Sequence, residues 1–186
     1  NMWLEFDLDD VAASSLVAVP SVFVGTSLTT TACSRWFCDA VLPDLSGRET
    51  PCGLRDAIDE LLRALPQGAW IFQVGLMLAR PMGESDGVRL CVRGLAGRHQ
   101  DFLDRVGWPA HDPDLRRATA AALQAADTVD LDIDILRAAN VNGAPCYLIG
   151  PKIGFECVFS PHPAPRYRLP EFVEGLVARS LCTRAK

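Results

Sequence analysis

The sequence predicts an α+β fold: a single domain with a mostly antiparallel sheet or partial barrel of six to seven strands, and helices packed on the sheet's apolar face. Three observations carry this. Short apolar runs with period-two alternation recur along the chain, the mark of half-buried strands. Runs with helical spacing of apolar residues follow each pair of such strands. The order strand, strand, helix recurs three times, as units of about 3–66, 69–108 and 129–182, with inserted helices at about 31–42 and 113–126. The first strands read Leu4-Glu5-Phe6-Asp7-Leu8, Phe72-Gln73-Val74-Gly75-Leu76 and Leu131-Asp132-Ile133-Asp134-Ile135. The helices carry acid–apolar–apolar–acid: Asp56 to Asp59, Asp101 to Asp104 and Glu171 to Glu174. One ββα unit cannot bury its apolar face alone, so three are expected to share one sheet. With 186 residues, 49% of them hydrophobic, the chain is long enough for a sizeable core.

Taken in order, Trp3 to Asp9 alternates, with Leu4, Phe6 and Leu8 on one side and Trp3, Glu5, Asp7 and Asp9 on the other. Val19 to Val24 is a second strand. In the insertion, Thr29, Thr30 and Thr31 offer a helix cap. Cys33, Trp36, Phe37, Ala40 and Val41 then recur at helical spacing until Pro43 and Ser46-Gly47. Thr50-Pro51 reads as cap and first position of a helix whose stripe is Leu54, Ile58, Leu61, Leu62 and Leu65. Ile71 to Leu78 and Val88 to Val92 are strands joined by a polar hairpin connection, Pro81 to Gly87. Helices follow from Arg98 and from Asp112-Pro113. Val129 to Ile135 is the next strand, Asn142-Gly143 a tight turn, and Cys146 to Ile149 and Ile153 to Phe159 two further runs. Pro161 to Arg168 reads as a loop, and Pro170 opens the last helix, with Phe172, Val173, Leu176 and Val177 inward.

Composition excludes several function classes. A net charge of -5 and a pI near 5.1 argue against nucleic acid, whose phosphates select basic stripes. Seven cysteines without a Cys-x-x-Cys suggest free thiols in a reducing, cytoplasmic setting. Apolar runs fall short of a membrane span, and no charged-then-apolar leader opens the chain. The chain starts almost directly in a strand, at Trp3, and ends just after a helix, as expected of a segment of something longer. Neither GxGxxG nor GxxxxGK[ST] occurs, so nothing supports a nucleotide cofactor.

The strongest chemical candidate is acidic: Glu5, Asp7 and Asp9, with Asp132, Asp134 and Glu156. If the units superpose, Asp7 matches Asp134, Gln73 matches Glu5 and Asp132, and Gly75 leaves a gap with room for a ligand. Clustered carboxylates suit Mg²⁺, Mn²⁺ or Ca²⁺, or a cationic substrate; Asp7, Asp134 and Glu156 are the expected metal set. The same alternation also describes a solvated sheet face. Glu156 stands apart, because its run is otherwise apolar and an unpaired charge there is costly. Arg89 and Arg93 share a strand face with Cys91 between them; they either take an anion or pair with the acidic strands. Glu5, Asp7, Gln73, Arg89, Asp132, Asp134 and Glu156 form the expected ligand-binding set.

Cys33, Cys38 and Cys52 lack zinc spacing. Cys91 or Cys157 with His99, His111 or His162 would make a nucleophile pair, although the local sequence has no nucleophile elbow. Trp36-Phe37, two adjacent aromatics in an insertion helix, suit either a partner-binding surface or a cover for the sheet's end. Three functions follow in order: an accessory protein that binds a partner protein or peptide through Trp36 and Phe37; a small enzyme or ligand binder with a carboxylate-lined pocket; and a cysteine-dependent enzyme.

Overall fold

A computed structural model describes residues 1–5, 20–76, 87–109, 113–138, 146–159 and 165–179. The chain is α+β, with an open antiparallel sheet and helices. The body of the sheet is five strands running in sequence order: β2 (Ser21–Leu28), β3 (Trp70–Leu76), β4 (Val88–Arg93), β5 (Thr128–Arg137) and β6 (Tyr147–Val158). A four-residue strand, β1 (Met2–Glu5), lies along the outer edge of β2. β1 and β6 are the edges, and the sheet does not close into a barrel. Every neighbouring pair is antiparallel.

The insertion folds as α1 (Thr31–Trp36), a π-helical turn (Phe37–Val41) and α2 (Leu42–Ser46). Thr30 caps α1, its hydroxyl accepting from Cys33 N at 3.4 Å. Pro43 does not end the helix as its sequence position suggested. It lies in the first turn of α2, after the π turn, where a missing N–H is harmless. The stop is Gly47, at φ 69°, the left-handed conformation glycine tolerates best. Next comes α3 (Cys52–Ala64), which buries Leu54, Ile58, Leu61 and Leu62. Thr50 does not cap it: its hydroxyl instead donates to Cys38 O at 2.6 Å, tying the insertion to the start of α3.

The remaining helices are α4 (His99–Arg105), α5 (Pro113–Ala125) and α6 (Pro165–Ala178). Two sequence expectations fail in the C-terminal third. Tyr147–Val158 is one continuous strand, not two runs, and passes through Pro151. β6 is an edge strand, so the absent proline N–H leaves no ladder partner unsatisfied. α6 begins at Pro165, and Pro170 lies inside it instead of opening it. The proposed hairpin of residues 81–87, mostly, and the Asn142-Gly143 turn lie outside the described residues.

The main core lies between the helices and one face of the sheet. Phe37, Ile58, Leu61, Phe102 and Leu103 from the helical segments meet Ile71, Val74, Leu90, Val92, Leu131, Ile133 and Ile135 from the strands. α6 lies away from this core; Leu169 is exposed, and Val173, expected inward, is exposed as well. Its Phe172 joins a smaller cluster with Ala122, Ala126, Val129 and Phe159, the two phenylalanine rings edge-on at 5.9 Å.

Candidate functional site

Directly paired residues in an antiparallel sheet point to the same side. One row across the face opposite the main core therefore reads Phe23–Gly75–Arg89–Asp134. The next reads Gly25–Gln73–Cys91–Asp132–Gly154. A third carries Arg93, Asp130 and Glu156, the last two directly paired. Strands β3, β4, β5 and β6 thus bring Gln73, Arg89, Asp132, Asp134 and Glu156 of the expected set onto one face. Glu5 is not with them. Its strand lies at the far edge, four strand spacings from β5, or about 19 Å at the usual ~4.8 Å per strand. Asp7 and Asp9 lie outside the described residues.

The face is ordered by two arginine–aspartate pairs. Arg89 grips Asp134 in bidentate fashion, Nε to Oδ1 at 2.8 Å and Nη2 to Oδ2 at 3.2 Å. Arg93 donates from Nε at 2.8 Å and from Nη2 at 2.5 Å to Asp130 Oδ2. Its guanidinium also stacks 3.9 Å above the Phe72 ring. Phe72 reaches this face because the β3–β4 register shifts between Ile71 and Gln73. The arginines therefore pair with the acidic strand, one of the two roles their spacing allowed, and Asp134 is engaged by a cation of the protein itself.

Between the two pairs lie Cys91 and Asp132, and Glu156 stands diagonal to Asp132 on β6. One ligand atom from each, a sulfur and two carboxylate oxygens, falls within 4.8 Å of the others. Cys91 is buried and its thiol donates to Asp132. Burial, with Asp132 and Glu156 adding to it, pushes the Cys91 thiol far above the ordinary range. Burial also raises the Asp132 carboxyl, against the opposing pull of Cys91 and Arg89. Glu156 is raised by burial and by the negative Asp132 and Asp130 beside it, with Arg93 and Arg89 opposing. Buried oxygens Oδ1 of Asp132 and Oδ1 of Asp130 have no hydrogen-bond partner among the described residues.

The glycines tell where space exists. Gly75 does not leave room for a ligand. A Cβ there would fall 2.6 Å from Cδ1 and 2.9 Å from Cζ of Phe23, so the ring itself fills the gap. The open position is Gly154: a Cβ there would lie 2.9 Å from Asp132 Oδ2, so the glycine lets the Asp132 carboxylate lean across β6 toward Glu156.

The two thiols expected as nucleophiles, Cys91 and Cys157, are both buried enough to favour the protonated form. Burial raises Cys91 and Cys157 alike, whereas a reactive cysteine needs a lowered value. His99 is buried with Nε2 donating to Val129 O at 2.8 Å, and burial lowers its pKa. His111 and His162 lie outside the described residues.

A second feature lies on the core-facing side, at the β1–β2 edge. Trp36 is 63% exposed while the adjacent Phe37 is 1% exposed. Trp36 overhangs a groove of about 470 Å³ lined by Val24, Leu28, Ala32, Phe37 and Val41 among others. Register places Met2 beside Val24 and Leu4 beside Val22, and Met2 and Leu4 are 63% and 51% exposed. Comparison of the chain with family models, with curated proteins and with solved structures finds no match.

Asp130 and the role of Cys91 as neighbour of the acids were missed from sequence. Both were signalled by alternation: Cys91 sits between Arg89 and Arg93, and Asp130 is two residues before Asp132.

Proposed function

We propose that this protein binds a partner protein, and that the occupant of its apolar edge is an amphipathic helix. The observation that carries this is the exposed Trp36 on the lining of an apolar groove, with the exposed Met2 paired to Val24, another residue of that lining. Large exposed apolar patches mark interaction sites, and tryptophan is the residue most enriched at binding hot spots. A helix is favoured over an extended strand by where the surface lies. Met2, Val22, Leu4 and Val24 continue the sheet face that α3 and α1 cover further along, so a helix laid beside α1 extends a layer already built. Helix-in-groove recognition reads apolar anchors at i, i+3, i+4 and i+7, which fits a flat strand pair bordered by one aromatic wall. The π turn that follows Trp36 is a further pointer, since π turns occur often at functional sites.

The order of elements supports reading three ββα units: β1, β2 and α3; β3, β4 and α4; β5, β6 and α6. On that reading the docking edge belongs to the first unit alone. The setting is a reducing compartment, supported by six free cysteines among the described residues; no described helix is long and apolar enough to cross a membrane.

The test is selection from a displayed library of amphipathic helical peptides, followed by fluorescence anisotropy with synthetic copies. Selected peptides should carry the helical anchor spacing. Trp36→Ala should weaken them by about 2 kcal/mol, roughly thirtyfold. Selection of extended motifs only, or binding indifferent to Trp36→Ala, refutes the helix. Sedimentation equilibrium adds a third arm: self-association abolished by Trp36→Ala makes the occupant a second copy and overturns the proposal.

A further inference from the structure

We infer that Cys91, Asp132 and Glu156 form a site for a single thiophilic divalent cation of the Zn²⁺ class. The site lies on the opposite face of the sheet from the docking edge and does not depend on it.

The argument starts from charge. The polar face carries the carboxylates of Asp130, Asp132, Asp134 and Glu156 against the guanidinium groups of Arg89 and Arg93. Arg89 is bonded to Asp134 and Arg93 to Asp130. The two carboxylates remaining among the described residues of this face are Asp132, directly paired with the buried Cys91, and Glu156 on the next strand. One divalent cation balances two carboxylates, and a thiolate adds a third negative ligand.

Geometry is the second support. The three donors come from adjacent strands, with Cys91 and Asp132 directly paired and Glu156 diagonal to Asp132. Their ligand atoms lie within 4.8 Å of one another. A tetrahedral Zn²⁺ with bonds of about 2.0–2.3 Å wants its ligand atoms about 3.3–3.6 Å apart. Side-chain rotation closes a difference of that size, and Glu156, partly exposed, offers the way in. Gly154 keeps the space beside Asp132 free for the carboxylate to turn.

The third support is unspent hydrogen-bonding capacity. Asp130 is fully buried at the edge of this cluster, cross-strand from Glu156, and its Oδ1 has no partner among the described residues; the same holds for the buried Asp132 Oδ1. Buried carboxylate oxygens are normally satisfied. A cation between Cys91, Asp132 and Glu156, with a bound water in its fourth position, supplies both a ligand bond and a donor there.

Donor type selects the metal. Mg²⁺ and Ca²⁺ demand all-oxygen shells. A buried thiolate with two carboxylates suits Zn²⁺ or Co²⁺ instead. Binding displaces the Cys91 proton, together with any proton held by the carboxylates, so affinity rises with pH.

The experiment uses the reduced, chelator-stripped protein titrated with Co²⁺, followed by Zn²⁺ competition. The expected result is one Co²⁺ per chain, with intense four-coordinate visible absorption and a sulfur-to-cobalt charge-transfer band, both abolished by Zn²⁺ and unaffected by excess Mg²⁺. Cys91→Ser should lose the charge-transfer band although the other six cysteines remain. Glu156→Gln should keep the band and weaken Co²⁺ by about tenfold or more. If Cys91→Ser does not fold, as judged by circular dichroism, Glu156→Gln and Asp132→Asn decide. Absence of a thiolate band in the wild type, its persistence in folded Cys91→Ser, or unchanged affinity in both carboxamide variants overturns the site.

Discussion

Gly75→Ala isolates why the middle strand lacks the side chain its neighbours carry. Gly75 has an ordinary extended backbone rather than a left-handed one, so its conformation alone would accept alanine. The obstacle is the Phe23 ring, with two atoms 2.6 Å and 2.9 Å from the new Cβ. Overpacking of this kind costs about 1–3 kcal/mol, while the smaller unfolded-state entropy of alanine returns about 0.4–1 kcal/mol. The net expectation is a loss of about 1–2 kcal/mol, or some 2–8 °C in melting temperature for a chain of this size. Phe23→Val removes the ring and keeps a good strand former. In that background Gly75→Ala should change sign and stabilise by about 0.5–1 kcal/mol. Urea unfolding of the four proteins closes a double-mutant cycle, whose coupling should be about 1–3 kcal/mol. An alanine at 75 that costs the same with and without the Phe23 ring refutes the reasoning, and would mean that the glycine serves the backbone or a ligand.

Four further outcomes follow from the same face and the insertion. Asp134→Ala removes the bidentate partner of the Arg89 guanidinium, whose side chain is only 20% exposed, and should cost about 3 kcal/mol in urea melts; Arg89→Met with Asp134→Leu should recover most of it. For Glu156, the folded pKa is raised, so the native state binds its proton more tightly than the unfolded chain does. Its contribution to stability is therefore present below the ordinary carboxylate value of about 4.3 and is lost as pH rises through the raised one. In metal-free protein, Glu156→Gln should thus gain on the wild type as pH increases across that window; a difference that is flat with pH contradicts the shift. Trp36→Ala should alter stability by no more than about 0.5 kcal/mol, whereas Phe37→Ala next to it should cost about 3–5 kcal/mol, both read by thermal melting. Gly154→Ala meets a carboxylate that can swing away, so it should cost less than about 1 kcal/mol yet weaken Co²⁺ binding measurably.

The alternation of Asp132 and Asp134, and of Arg89, Cys91 and Arg93, was enough to place each set on one face of its own strand; Asp130 extends the acidic row, and the pairing of the strands brings both rows to one face of the sheet. Period-two patterning reports facing directly. It does not report register, and register decides which acid meets which arginine. Arg89 sits opposite Asp134, and Arg93 bonds Asp130, which leaves Asp132 opposite Cys91. A shift of two residues along β5 would keep every side chain on the same face and place a different aspartate beside the thiol. That is why Asp134 was a reasonable metal ligand from sequence and is a salt-bridge partner in the fold. The glycines were ambiguous for a related reason: a missing side chain reads as space, but Phe23 fills the space at Gly75, and only at Gly154 does the absent Cβ make room for a carboxylate. The boundary at Pro43 was misread because a proline breaks a helix only where its N–H is needed, and Pro43 lies in the first turn of α2; Pro170 lies inside α6, and nothing in the structure explains its place there. The polar face is therefore best understood as a register-defined arrangement. Two arginines each pair with one aspartate, and Cys91, Asp132 and Glu156 beside them are the set on this face with which no arginine among the described residues forms a salt bridge.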